Sequence, residues 1–172
     1  MLYLDIFSGI SGDMFLGALI DLGVPFPRLE AELRSLGVSG YHLQVHRRSK
    51  SGIEGVKFDV HLDHESSHDH PHDHPHPHPH PHPHGHGHGH GHDHADHRNY
   101  AQIRDLIQRS ALNAWVKARA IAVFDRIARA EGKIHGLPPD QVHFHEVGAV
   151  DSIVDVVGTC IALDLLGQPE VM

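Results

Sequence analysis

The sequence predicts an α/β or α+β domain, a small sheet covered by helices and interrupted by a disordered histidine-rich loop. Two short stretches alternate apolar and polar residues, as strands do, while helical spacing dominates the carboxyl-terminal half. Between them lies an alternating histidine tract that can build no core. The 172 residues suit one domain once the tract is set aside. Its expected parts are an amino-terminal βααββ half over 1–63, a metal-binding loop over 64–98, and a helical half over 99–172.

Leu2-Tyr3-Leu4-Asp5-Ile6-Phe7 is a short apolar run holding one acid, and it reads as a buried strand. Ser8 to Asp13 breaks it, and Met14 to Leu22 follows with helical spacing through Phe15, Ala18, Leu19 and Leu22. Gly23-Val24-Pro25 stops that helix. A second helix runs from about Phe26 to Leu36, with Leu29, Leu33 and Leu36 inward and Gly37 as its stop. Tyr41, Leu43 and Val45 then alternate with polar residues, as do Val56, Phe58, Val60 and Leu62. The polar link Ser49-Lys50-Ser51-Gly52 makes the two runs a β-hairpin. His42, His46 and His61 fall on its solvated face, with Arg47, Arg48 and Lys50 at its turn.

Beyond the tract, Tyr100 to Arg109 and Leu112 to about Ile134 read as helices. Leu112, Val116, Ala120, Val123 and Ile127 form a core stripe, with Lys117, Arg119, Arg126 and Arg129 largely outside it. Ile153 to Leu166 has the length and composition of a helix, although Ile153 to Val157 is β-branched enough for a strand. Gly167-Gln168-Pro169 stops it.

The densest chemistry lies in His143-Phe144-His145-Glu146-Val147-Gly148-Ala149-Val150-Asp151-Ser152-Ile153-Val154-Asp155. In an extended segment, residues two apart point the same way, so His143 and His145 can converge on one ion, with Glu146 beside them. Asp151 and Asp155 are four apart and share a helix face. A turn through Gly148 can bring both groups around a metal or a charged substrate. The structural alternative is a capping box from Ser152 to Asp155, with His143 and Glu146 paired on the surface. Glu131 and His135, four apart at a helix end, make either a second ligand pair or a histidine suited to the helix dipole.

The amino-terminal strand, loop and helix form a second candidate. Backbone N–H groups at Ser8, Gly9, Ser11 and Gly12 can face a phosphate at a helix start. The pattern matches neither the Walker loop nor the dinucleotide fingerprint, and a tight turn with Ser11 as N-cap fits it as well. Asp5, at a strand end and facing that loop, reads as a buried acid in need of a partner, a metal or a substrate hydroxyl.

In the tract, His68, His70, His72, His74, His76, His78, His80, His82, His84, His86, His88, His90, His92 and His94 alternate with aspartate, then mostly proline, then mostly glycine. Proline at alternate positions forbids both helix and ladder pairing. Neutral imidazole suits zinc, copper and nickel, so this arm should hold several ions weakly and exchangeably. The alternative is a linker that binds metal incidentally.

The formal charge is −8 with histidine neutral, and no basic run is interleaved with aromatics, which argues against nucleic-acid binding. The 22 histidines make that charge pH-sensitive, because imidazole titrates near pH ~6.5. The single Cys160 excludes an internal disulfide framework and fits a reducing cytoplasm. No apolar run is long enough to cross a bilayer, and the amino terminus lacks the features of a signal peptide.

Leu4 to Met14, the histidine-rich insertion and His143 to Ile153 together resemble the LarC family. The resemblance implies a nickel insertase of the lyase class, acting on pyridinium-3,5-bisthiocarboxylic acid mononucleotide to make the nickel-pincer cofactor of lactate racemase. It implies CTP with a divalent cation, handled by a carboxyl-terminal region that this chain is expected to lack. The missing region or a second copy of the chain would then be partners. On this reading the arm gathers nickel, and His143, His145 and Glu146 pass it on. Asp5, Asp13 and Asp151 orient metal or substrate, and the Ser8 to Asp13 loop cradles the phosphate. Many relatives carry cysteine where Ile6 stands, so a thiolate ligand is excluded there. Two readings of other classes remain beside it, a non-enzymatic nickel or zinc storage and delivery protein and a metal-dependent phosphohydrolase.

Overall fold

The computed structural model describes residues 1–63, 98–144 and 147–172, so the tract from His68 to His94, with His145 and Glu146, lies outside the described residues. The described residues form five α-helices and one two-stranded antiparallel sheet. In chain order these are α1 (Gly12–Asp21), α2 (Phe26–Arg34), β1 (Tyr41–Lys50), β2 (Ile53–Leu62), α3 (Tyr100–Arg109), α4 (Ala114–His135) and α5 (Val150–Leu165).

Helix α5 is the centre of the packing. It contacts α1, α2 and α4, and reaches β2. Its Ile153, Val154, Val157 and Ile161 are fully buried, which is why its apolar residues cover a broad face rather than a narrow stripe. Leu16 and Leu19 of α1, Leu29 and Leu33 of α2, and Phe58 of β2 complete one side of the core. Ile103 and Ile107 of α3, with Val116, Ala120, Phe124 and Ala128 of α4, complete the other. The β-branched run in α5 is helical because that burial outweighs its small propensity cost.

The hairpin pairs from Tyr41 opposite Leu62 to Lys50 opposite Ile53, longer at the turn end than the alternation alone marked. Its two-residue link, Ser51-Gly52, has positive φ at both positions (53° and 80°), the backbone that matches strand twist in a tight hairpin. Helix α3 starts with a reciprocal cap, in which Gln102 N–H donates to Asn99 Oδ1 and Asn99 N–H to Gln102 Oε1, both at 2.9 Å. Among the described residues no helix is long and apolar enough to cross a membrane.

The expected strand over 2–7 does not form. Leu2 makes an isolated parallel bridge to Val171, and Leu4 N–H donates to Met172 O at 2.7 Å. Beyond Leu4 no described backbone offers a ladder, and an apolar run without a neighbouring edge stays irregular. Tyr3 and Phe7 are consequently exposed, and so is Asp5, which was expected to be a buried acid. The α4 stripe also needs correction at one position. The buried row is Val116, Ala120, Phe124 and Ala128, spaced by four, while Val123 is exposed.

Candidate functional site

The first turns of α1 and α5 meet, and three carboxylates collect there. Asp13 lies in the first turn of α1, Asp151 in the first turn of α5, and Asp155 one turn further along α5. Helix α5 begins after Ala149 with no side-chain cap, so the alternative of a capping box from Ser152 to Asp155 falls away. Asp155 instead turns toward α1, where the Asp13 backbone N–H donates to its carboxylate. Ser11 is the N-cap residue of α1, but its hydroxyl donates to the Asp13 carboxylate rather than serving the helix. Gly12 makes the approach possible, because a Cβ there would lie 2.5 Å from Asp155.

This arrangement concentrates negative charge at two positive helix ends. Asp155 is half-buried, and its Oδ1 is fully buried without a hydrogen-bond partner among the described residues. Burial, then the charges of Asp13 and Asp151, push its pKa from 3.8 to about 6. No Lys or Arg among the described residues pairs with any of the three. A divalent cation beside them would relieve the repulsion and displace a proton from Asp155. Among the described residues, however, no three metal-ligating side chains converge closely enough to form a finished coordination shell.

His143 is exposed and sits between Val142 and Phe144, both buried. The inward pair fixes the outward one, since alternate residues of an extended segment face opposite ways. His143 bridges Asn99 in antiparallel fashion, Tyr100 N–H donates to Val142 O at 3.3 Å, and Arg98 N–H donates to Gly148 O at 3.2 Å. Residues 98–100, which follow the histidine tract directly, are thus laced to both flanks of the His143 to Gly148 motif. Ser8 and Gly9 lie exposed in a turn closed by Gly9 N–H donating to Ile6 O at 2.9 Å. Asp5 is exposed nearby in sequence and is not among the groups that act on Asp155.

Asp155 also lines a cleft of about 800 Å³ between α4, α5 and the irregular segment Gln168–Val171. Its α4 wall presents Trp115, Arg119, Val123 and Arg126, and its α5 wall Val156, Thr159 and Cys160 beside Asp155. Burial pushes the Cys160 thiol up to about 11, so it stays protonated and packs as a small apolar group. The sequence did not show this cleft and left Asp155 open between an acidic pair with Asp151 and a helix cap. The available signal was the spacing of Trp115, Arg119 and Arg126, which shares one helical face.

A family model described as nickel insertion protein matches residues 2–172. The chain belongs to that family. A relative from Geobacillus kaustophilus, named pyridinium-3,5-bisthiocarboxylic acid mononucleotide nickel insertion protein, is 49% identical over 170 residues. The alignment covers 95% of this chain and 35% of that relative. Relatives of the same name from Lactiplantibacillus plantarum and Alkaliphilus metalliredigens are 49% and 43% identical over 171 residues each. Those alignments take in 99% of this chain and 39% and 38% of the relatives. The chain therefore spans little more than a third of the length of the curated relatives it matches. No solved structure matches it.

Proposed function

We propose that this nickel insertion family member receives nickel and places it into pyridinium-3,5-bisthiocarboxylic acid mononucleotide, acting as a nickel insertase of the lyase class. The observation that carries the proposal is the meeting of Asp13, Asp151 and Asp155 at one end of a cleft, in a chain that matches the family over 2–172. Nickel is the cargo. Oxygen and imidazole donors hold it loosely enough to surrender it to a substrate with sulfur donors, which a cage of thiolates would not do. An unfinished set of protein ligands serves the same end, because the acceptor completes the shell.

In this reading His143, with His145 and Glu146, takes nickel from the arm. The lacing of residues 98–100 to the motif supports that order, since it sets the root of the tract beside the motif. Asp13 and Asp151 then orient the ion with Asp155. Asp155 already occupies the α1 end where a phosphate would approach the Ser8, Gly9, Ser11 and Gly12 loop. The acidic cluster therefore favours a cation there. CTP handling belongs, on this proposal, to the part of the relatives that the chain does not match.

The test is nickel transfer to the mononucleotide, read as the mass of the nickel adduct. His143→Ala should slow it with the circular dichroism unchanged, and unchanged transfer would remove the motif from the pathway. A second reading, storage and delivery without chemistry, is favoured by the alternating histidines alone. It requires that the chain bind nickel but no pyridinium mononucleotide.

A further inference from the structure

The cleft beside the acidic cluster has a chemistry of its own. Trp115, Arg119, Ala122 and Arg126 follow one another at helical spacing along one face of α4. The Arg119 guanidinium lies over the Trp115 ring, 5.4 Å from its centroid. Arg104, Arg109 and Arg129 are each tied to an aspartate within 3 Å. Arg119 and Arg126 have no carboxylate partner among the described residues, yet both line an apolar cleft. Two unneutralised guanidiniums over an apolar floor suit a flat ligand with anionic substituents, which planar guanidiniums bind through paired hydrogen bonds. Asn113 Nδ2 donates to Asp164 at 2.8 Å, so α4 and α5 run antiparallel and Arg126 lies toward the Asp155 end. The volume of about 800 Å³ falls in the ordinary range for a ligand of mononucleotide size.

We infer that this cleft binds an anionic pyridinium mononucleotide, with Arg119 on the phosphate, Arg126 on the acid group of the ring, and Asp155 beside the cationic ring. The identity of the ligand rests on the nickel-insertion proposal, but the residues rest on the cleft. The arrangement points the metal-accepting end of the ligand at Asp155, on which the charges of Asp13 and Asp151 act. The other end lies against Trp115 and the Gln168–Val171 wall.

Trp115 is the only tryptophan in the chain, so its emission reports on the cleft directly. Nicotinate mononucleotide, which carries a pyridinium ring, one ring carboxylate and a ribose phosphate, is the probe. Its titration into the 172-residue chain should change Trp115 emission saturably, and calorimetry should give the same affinity. Arg119→Glu and Arg126→Glu should each weaken binding by about tenfold or more. Uridine monophosphate, with the same ribose phosphate on a neutral ring, should also bind at least about tenfold more weakly. No saturable change up to about 1 mM, equal binding of the two mononucleotides, or binding indifferent to both arginine variants would overturn the assignment. Nickel transfer measured on the same preparations separates the two proposals. If nickel transfer persists while the arginine variants bind normally, only the cleft assignment falls. If the cleft binds the probe while no transfer occurs even with CTP and the carboxyl-terminal part of a relative supplied, only the insertion proposal falls.

Discussion

Gly12 and Asp155 pack so closely that a Cβ on Gly12 would lie 2.5 Å from both the Cβ and the Oδ2 of Asp155. This contact joins the first turns of α1 and α5 and holds the Asp155 carboxylate under the Asp13 N–H. An alanine inside a helix ordinarily gains up to ~1 kcal/mol over glycine. Here the sign should reverse, because the added methyl meets the root of the Asp155 side chain rather than a movable tip. Gly12→Ala should destabilise the chain by ~1–3 kcal/mol in urea denaturation. A wild-type or higher midpoint would show that the helix ends are not clamped.

The raised pKa of Asp155 makes a signed prediction. Its carboxyl binds a proton more tightly in the folded chain than in the unfolded one. The stability it contributes is therefore present below pH 3.8 and lost as pH rises through about 6. Asp155→Asn removes that loss. The variant should be more stable than wild type at neutral pH by roughly 1–2 kcal/mol, allowing for solvent screening of a half-exposed group, and should converge with it in acid. Thermal midpoints across that range decide it, and parallel curves would contradict the assigned ionisation.

Much of the fold was readable because local pattern and burial agree. The Tyr100–Arg109 helix, the two amino-terminal helices and the hairpin all follow from apolar spacing and their stop signals. The amino-terminal strand was misread because apolar content shows what a segment could bury, not whether a partner edge exists. Asp155 was left between two roles for a related reason. Its spacing from Ser152 fits a cap, but helix α5 starts at Val150, and only the tertiary meeting with Gly12 shows where the carboxylate goes. Arg119 and Arg126 looked like ordinary solvated charges, since the face they share with Trp115 marks one side of α4 but not the cleft that its neighbour leaves beside it.

Phe144 tests whether the histidine motif depends on its anchor. It is 1% exposed and packs against Phe124, with ring centroids 6.3 Å apart. Phe144→Ala should cost ~3–5 kcal/mol and weaken nickel transfer although the side chain carries no donor. Phe144→Leu keeps most of the volume and should restore both. Transfer that stays normal in the alanine variant would mean that His143 needs no fixed backbone beneath it.

Nickel binding by the folded part can be separated from binding by the arm through deletion of residues 64–97. The arm's many imidazoles should account for most of the ions held, so the stoichiometry should fall sharply in the deleted chain. One site should survive. Asp13→Asn together with Asp151→Asn leaves Asp155 with no neighbouring charge to share an ion, and in the deleted chain this pair should weaken that site by about tenfold or more. His143→Ala should leave that site in place if motif and cluster hold successive positions of one ion, because each position then binds without the other. Calorimetric titration at neutral pH reads both. Loss of all binding on deletion would make the arm the sole nickel holder of the chain, leaving the acidic cluster to be completed by the mononucleotide itself.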